Sequence, residues 1–320
     1  MPELTLPGTA DVLAAAARIA PHATVTPVLR SRELDALAGA RLHFKAEHLQ
    51  RGGAFKFRGA CNAVWLLDDA RAARGVVTHS SGNHGAALAL AARSRGIPCH
   101  VVVPEGAVAA KLANIARHGA TLWRCASTQA AREAECARVQ VESGATLVHP
   151  YADAGVIAGQ GTATLELLQQ AGTPLDVVVA PVGGGGLAAG TLLALRQARP
   201  GCELVLAEPA GAADAARSLA AHARQVEFVP DTLCDGLRAA LGEPNFALLD
   251  GGATIITVDD AATVTAMRLL WQVLKQVVEP SSATVLAAIL AQPQRFAGRN
   301  VGVILSGGNV DLDALPWARA

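Results

Sequence analysis

Eight short apolar runs rich in β-branched residues alternate with Ala/Leu-rich stretches of helical period along almost the whole chain. The runs lie at Leu42 to Lys45, Gly75 to Thr78, Cys99 to Val103, Thr121 to Arg124, Thr146 to Val148, Val177 to Val182, Glu203 to Ala207 and Val301 to Leu305. Continuous hydrophobicity is what strands covered on both faces need, so these read as parallel strands. The stretches between them predict helices over Ala54 to Leu67, Gly85 to Ser94, Val108 to His118, Ala130 to Ser143, Gly159 to Gln170, Leu187 to Gln197, Ala261 to Gln276 and Ala283 to Ala291. Strand, helix, strand in series predicts an α/β fold with doubly wound, mostly parallel sheets. Such sheets bind ligands beyond the carboxyl ends of their strands, which makes the turns after strands the places to search.

Composition narrows the partners. At 320 residues, 51% hydrophobic and 17% charged, the chain has volume for two domains or one large one and is not disordered. With 27 basic against 27 acidic residues it has no whole-molecule field for phosphate backbones or anionic lipid, so no nucleic-acid or membrane partner is expected. Only 3% of residues are aromatic and 31 are glycine, so helices and sheets must pack through small side chains. The six cysteines, at 61, 99, 125, 136, 202 and 234, form no CxxC pair and read as free thiols in a reducing compartment. The N-terminus lacks a basic segment before an uninterrupted apolar stretch, so a cytoplasmic protein is expected. Val177 to Leu195 is uncharged over about 19 residues, but Pro181 and four glycines oppose a lipid-facing helix there.

Four turns carry chemistry. In LDVVVAPVGGGGLAAG a buried strand ends at Val182, Gly183 to Gly186 follow, and a helix begins near Leu187. Glycines bring backbone N–H groups together at a helix N-terminus, which makes an anion site suited to phosphate. No Lys-Ser/Thr pair follows, so a Walker loop is excluded, whereas Gly184, Gly186 and Ala189 with Glu208 also fit a dinucleotide fingerprint. In RGGAFKFRG, Phe55 and Phe57 flank Lys56 at a helix start, surroundings that destabilise an ammonium as an amine nucleophile needs, while a solvated surface lysine fits the same residues. In HSSGNHG, Ser80, Ser81, Gly82, Asn83 and His84 present hydroxyl, amide and N–H groups, whether to cap a helix or to hold an anion. Near the C-terminus a strand runs into Ser306, Gly307, Gly308 and Asn309, by itself a common α/β turn.

Taken together and in this order, FKFRG, SSGNHG, GGGG and SGGN resemble the fold type II pyridoxal-phosphate enzymes, closest to the serine and threonine dehydratase and serine racemase group. The resemblance runs from TPVL at Thr26 through HPYADAGVIAGQGT at His149 to SGGNVDL. It implies pyridoxal 5'-phosphate attached to Lys56, with Phe55 beside it. Gly183, Gly184, Gly185, Gly186 and the Leu187 amide would hold its phosphate, Asn83 its phenolic oxygen, and Ser306 its ring nitrogen. A hydroxyl facing that nitrogen does not keep it firmly protonated, which favours elimination over a long-lived carbanion. The substrate carboxylate would sit on Ser80 to His84, and Lys56 would remove the α-proton, giving a 2-oxo acid and ammonia from L-threonine or L-serine.

Further implications follow from the same resemblance. Ser81 matches the hydroxyl that racemases place opposite the lysine, so some racemase or D-isomer activity is expected. Arg132 matches an arginine that approaches the substrate, and Gly236 lines it. Arg132 would keep hydroxyaspartate open as an alternative substrate, and Ala239 leaves room for a larger side chain such as that of phenylserine. Glu208, the Ala212 carbonyl and Asp214 match a divalent-cation site whose oxygen ligands suit magnesium, calcium or manganese. A large cofactor-binding domain from residues 1–72 and 150–320, a small domain from 73–149, no C-terminal regulatory domain, and a homodimer acting on a small amino acid are expected. An NAD(P) oxidoreductase and a non-catalytic binder remain as other classes, but neither uses Lys56.

Overall fold

The computed structural model describes residues 6–318 and contains two sheets. The strands are β1 Val28–Leu29, β2 Arg41–Ala46, β3 Val76–His79, β4 Cys99–Pro104, β5 Thr121–Cys125, β6 Thr146–Leu147, β7 Val177–Pro181, β8 Glu203–Pro209, β9 Thr254–Val258 and β10 Asn300–Leu305. Six form one sheet in the order β1-β2-β10-β7-β8-β9, and four form the other in the order β5-β4-β3-β6. Every pairing is parallel except the short β1 against β2.

Uniform hydrophobicity in the central strands reflects cover on both faces. In β7, Val177 and Val179 join one core with Phe44, Val205 and Val303, while Val178 and Ala180 join another with Leu204, Leu206 and Ile304. Register explains the split, because Val303 pairs with both Phe44 and Val179, and Val179 with Val205. Helix Pro280–Ala291, buried around most of its circumference, covers the first face. Helices Ala154–Gln170 and Gly186–Ala198 cover the second, crossing where a Cβ on Gly190 would lie 2.4 Å from the Ile157 carbonyl. Small residues at that crossing are the local use of the glycine-rich composition.

Several helix starts differ from the periodicity. The Gly159 to Gln170 helix begins at Ala154, because the Asp153 side chain accepts from Val156 N–H and caps it. The lysine helix is Lys56–Leu66, and the Ala261 to Gln276 stretch is helical only over Asp260–Gln272, before Lys275 at φ 60°. Helices Thr9–Ile19, Arg32–Ala38 and Asp214–Ala221 and strand β9 lie where the pattern predicts none. β9 is an edge strand whose residues are mostly not buried, so it lacks the continuous apolar run of its neighbours.

Candidate active site

The lysine helix starts in a turn stapled to the end of β10. Phe55 N–H donates to the Ser306 carbonyl at 2.9 Å and Gly308 N–H to the Gly53 carbonyl at 2.9 Å, so the FKFRG and SGGN segments meet. Lys56 Nζ donates to the Pro150 carbonyl at 3.0 Å and lies 5.1 Å from the Phe55 ring centre. Burial lowers its pKa from 10.5 to about 8, with the Glu279 charge opposing the shift. Phe57 does not flank the amine: it is buried in the small-sheet core, under Arg51. Withdrawal from water supplies the shift that the sequence attributes to paired aromatics.

Beneath this turn Arg58 is fully buried between two carboxylates. Its guanidinium bonds Glu47 at 2.7 and 2.8 Å and Glu166 at 2.7 and 2.7 Å. Lys45 Nζ, also buried, reaches Glu166 at 2.6 Å and Gln170 at 2.8 Å. Two cations and two anions are thereby satisfied behind the lysine, tying its helix to β2 and to helix Ala154–Gln170.

The glycine loop follows β7. Gly185 has φ 90°, a conformation L side chains avoid, and a Cβ there would come 2.6 Å from Leu241 Cδ1. The first backbone bond of helix Gly186–Ala198 runs from Ala189 N–H to the Gly185 carbonyl, so Gly186 and Leu187 N–H precede any helical partner. Among the described residues Gly183, Gly184 and Gly185 N–H donate to no protein group either. Asn245 Nδ2 ties the loop's Gly184 carbonyl (2.5 Å) to the Tyr151 carbonyl (2.9 Å), next to the Pro150 that receives Lys56. Unbonded donors at a helix start beside an amine of lowered pKa fit a phosphate-bearing aldehyde.

Ser80, Ser81 and Gly82 form a partly exposed turn after β3, with Gly82 N–H 3.4 Å from Ser80 Oγ, and helix Asn83–Arg95 begins at Asn83. The His84 ring is buried with Nε2 3.2 Å from the Val148 carbonyl, and burial holds it neutral. Its ring therefore offers no positive charge to an anionic ligand. His149, in T-shaped contact with His79 and Tyr151, is held near pKa 4 by burial, the His79 charge and the Lys56 charge. Arg132 sits in the first turn of helix Gln129–Ser143, only partly exposed, with a buried Nε that has no hydrogen-bond partner. Being only partly exposed, it is not a freely solvated surface charge. Gly236 N–H donates to Ser281 Oγ at 3.0 Å.

The carboxylate at the centre of the site has no counterpart among the expected residues. Glu279, the residue before the proline that opens helix Pro280–Ala291, is buried. Asn83 Nδ2 donates to its two oxygens at 3.0 and 3.1 Å, and Asn309 N–H donates at 3.2 Å. Burial and the Asp235 charge raise it to about 7 against those bonds and Lys111. A glutamate directly before a helix-opening proline is the only sequence signal for it, and that signal reads as a cap.

The sequence pattern of the family described as pyridoxal-phosphate dependent enzymes matches residues 19–307. The chain belongs to this family. The cofactor of this family carries an aldehyde, and when bound it would draw electrons from a substrate α-carbon. The chain is 49% identical to a β-hydroxyaspartate dehydratase of Paracoccus denitrificans, covering 98% of this chain and 99% of that protein. It is 46% identical to a serine racemase of Arabidopsis thaliana, covering 93% and 92%. The structure of maize serine racemase superposes with a TM-score of 0.93 at 42% identity, covering 97% and 95%. The fold is thus the fold type II arrangement expected, and the pyridoxal-phosphate family displaces the NAD(P) reading. Glu208, the acidic residue of that reading, is buried and accepts from Ala215 and Ala216 N–H at 2.8 Å.

Proposed function

We propose that this pyridoxal-phosphate enzyme eliminates water from a β-hydroxy amino acid, releasing a 2-oxo acid and ammonia, and that it prefers a substrate with a second carboxylate, such as 3-hydroxyaspartate. The observation that carries the elimination chemistry is Lys56, an amine withdrawn from water with no carboxylate in hydrogen-bond contact. At neutral pH a pKa of about 8 leaves part of it unprotonated, so it can both attach the cofactor and take the α-proton. Backbone N–H groups at the Ser80 to His84 start suit the α-carboxylate. Arg132, partly buried in the first turn of helix Gln129–Ser143 with an unpartnered Nε, suits the distal carboxylate, and hydroxyaspartate lyases among the similar proteins support the same choice.

The test is a substrate panel of serine, threonine, phenylserine and the 3-hydroxyaspartate isomers assayed for 2-oxo acid. Hydroxyaspartate should lead, and Arg132→Leu should cut its kcat/KM by roughly 100-fold while changing serine turnover far less. If L-threonine or L-serine leads and Arg132→Leu changes all substrates alike, the acidic preference falls and simple serine/threonine dehydration is the reading. Ser81 is proposed as the acid–base group on the opposite substrate face, giving racemase or D-isomer activity, which the serine racemases among the relatives favour.

The Glu208 and Asp214 pair is proposed to hold a magnesium, calcium or manganese ion with the Ala212 carbonyl. Burial raises Glu208 to about 8 and Asp214 to about 6, and Asp214 Oδ1 is buried without a partner. Two desolvated carboxylates without a paired arginine or lysine fit a hard cation. Among the described residues no group of three or more His, Cys, Asp or Glu could hold a metal, so the carbonyl and water would complete the shell.

Residues 73–149 and the remainder are proposed as two domains with the cleft between them. A cytoplasmic homodimer is also proposed, supported by six free cysteines and by exposed Val25, Leu49 and Val277 on segments bonded through Thr24–Gln50 and His48–Gln276. Among the described residues no helix is long and apolar enough to cross a membrane.

A further inference from the structure

Three separate segments meet at one primary amide in the cleft. Asn83 opens the helix after the SSGNHG turn, Asn309 ends the SGGN turn, and Gly52 precedes the lysine turn. The Gly52 carbonyl can only accept a hydrogen bond, so it fixes the nitrogen end of Asn309, whose Nδ2 donates to it at 2.8 Å. The same Nδ2 donates its second hydrogen to Asn83 Oδ1 at 2.9 Å. Asn83 is thereby turned oxygen end toward Asn309 and nitrogen end toward Glu279, whose oxygens lie 3.0 and 3.1 Å from Nδ2. One N–H shared between those oxygens satisfies both distances. The other N–H of Asn83 is left to donate elsewhere.

Glu279 in its carboxylate form enforces this orientation from the opposite side, because it offers no hydrogen and accepts only the nitrogen end of an amide; the bonds from Asn83 and Asn309 in turn favour that form against burial. Asn309 N–H and the Glu279 N–H bond to the Gly307 carbonyl at 3.0 Å hold the carboxylate in place. Every donor and acceptor in the chain from Gly52 to Glu279 then has one consistent assignment.

We propose that Glu279 is a positioning residue that acts through Asn83: by accepting one N–H it locks the amide so that the other is presented to the cofactor. The proposal rests on the reading of this cleft as the cofactor site. Glu279 touches neither substrate nor reacting atoms in this role; its effect is exerted on a donor across the cleft, joining the small-sheet helix to the large-sheet turn.

The test is a double-mutant cycle on the holoenzyme, read by the visible absorbance of lysine-bound cofactor, its pH titration, and the Kd for pyridoxal phosphate, with kcat and KM measured alongside. Glu279→Gln keeps size and hydrogen-bonding capacity but accepts either end of an amide. It should weaken cofactor retention at least tenfold and change the pH titration of the band, and Asn83→Ala should do the same. The double variant Asn83→Ala/Glu279→Gln should then be no worse than Asn83→Ala alone. Glu279→Asp, which restores an acceptor-only group, should recover part of the loss.

A Glu279→Gln variant with wild-type spectrum and Kd overturns the proposal. So does a double variant whose losses multiply, since Glu279 would then act independently of Asn83. Should Glu279→Gln fail to fold, Glu279→Ala, which removes the acceptor of the Asn83 N–H, carries the same cycle with the same outcomes. A wild-type protein that forms no visible band with added pyridoxal phosphate refutes the cofactor reading, a result distinct from either of these.

Discussion

Replacing Lys56 by methionine should abolish cofactor attachment and at the same time stabilise the cofactor-free protein. The fall in the lysine pKa from 10.5 to about 8 means that the fold disfavours its charged form, at a cost near neutral pH of about 3 kcal/mol. Methionine fills similar volume without a charge. It gives up the bond to the Pro150 carbonyl, worth about 1 kcal/mol. The net gain is about 2 kcal/mol, or roughly 3–5 °C in Tm for a chain of this length. The sign can be checked through pH. Between about 8 and 10.5 the unfolded lysine keeps its proton while the folded one has lost it, so wild-type stability climbs with pH through this window. The advantage of Lys56→Met should therefore shrink by about 2 kcal/mol between pH 7 and 9.5. Urea unfolding of both cofactor-stripped proteins across that range measures it. A variant less stable than wild type at pH 7, or a gap that does not change with pH, would refute the claim that burial sets the reactivity of this amine.

Other expectations are simpler. Gly185→Ala forces a side chain into φ 90° with its Cβ 2.6 Å from Leu241; a loss of about 2–4 kcal/mol and faster loss of cofactor on dialysis are expected. Arg58→Met strands the fully buried Glu47 carboxylate, so a cost of about 3–5 kcal/mol should appear in the urea midpoint, with partial recovery on adding Glu47→Gln. Cation affinity at Glu208 and Asp214 should rise at least tenfold between pH 6 and 8, as carboxyls raised to about 8 and about 6 lose protons; calorimetry with magnesium showing no binding, or none that varies with pH, rejects the site. Ser81→Ala should remove D-isomer chemistry and leave L-elimination; equal loss of both would reject its role as the second acid–base group.

The candidate site was legible where function is written in short contiguous motifs. Lys56 beside Phe55, the Gly183 to Gly186 loop after a buried strand, and the SSGNHG helix start are local patterns, and local backbone and capping requirements explain their residue types. Tyr151 and Asn245 over the loop, and Glu279 with Asn309 at Asn83, were not legible in that way. A buried glutamate before a helix-opening proline carries the same sequence signature as a cap on a surface helix. What distinguishes it is the arrival of Asn83 from 196 positions away.

Hydrophobic period by itself determined the α/β class, because side-chain direction repeats every two residues in a strand and every 3.6 in a helix whatever the neighbours are. It could not rank the strands. β10 inserts between β2 and β7, bringing Ser306 against the lysine turn and Asn309 against Asn83, through pairings such as Val303 with Phe44. Burial likewise decided which charges matter: Lys45, Arg58, Glu47 and Glu279 look like solvated surface residues in the sequence, and only the packed structure takes them out of water. The cost of removing a charge from water depends on everything around it, and what surrounds it is set by chain segments far apart in sequence.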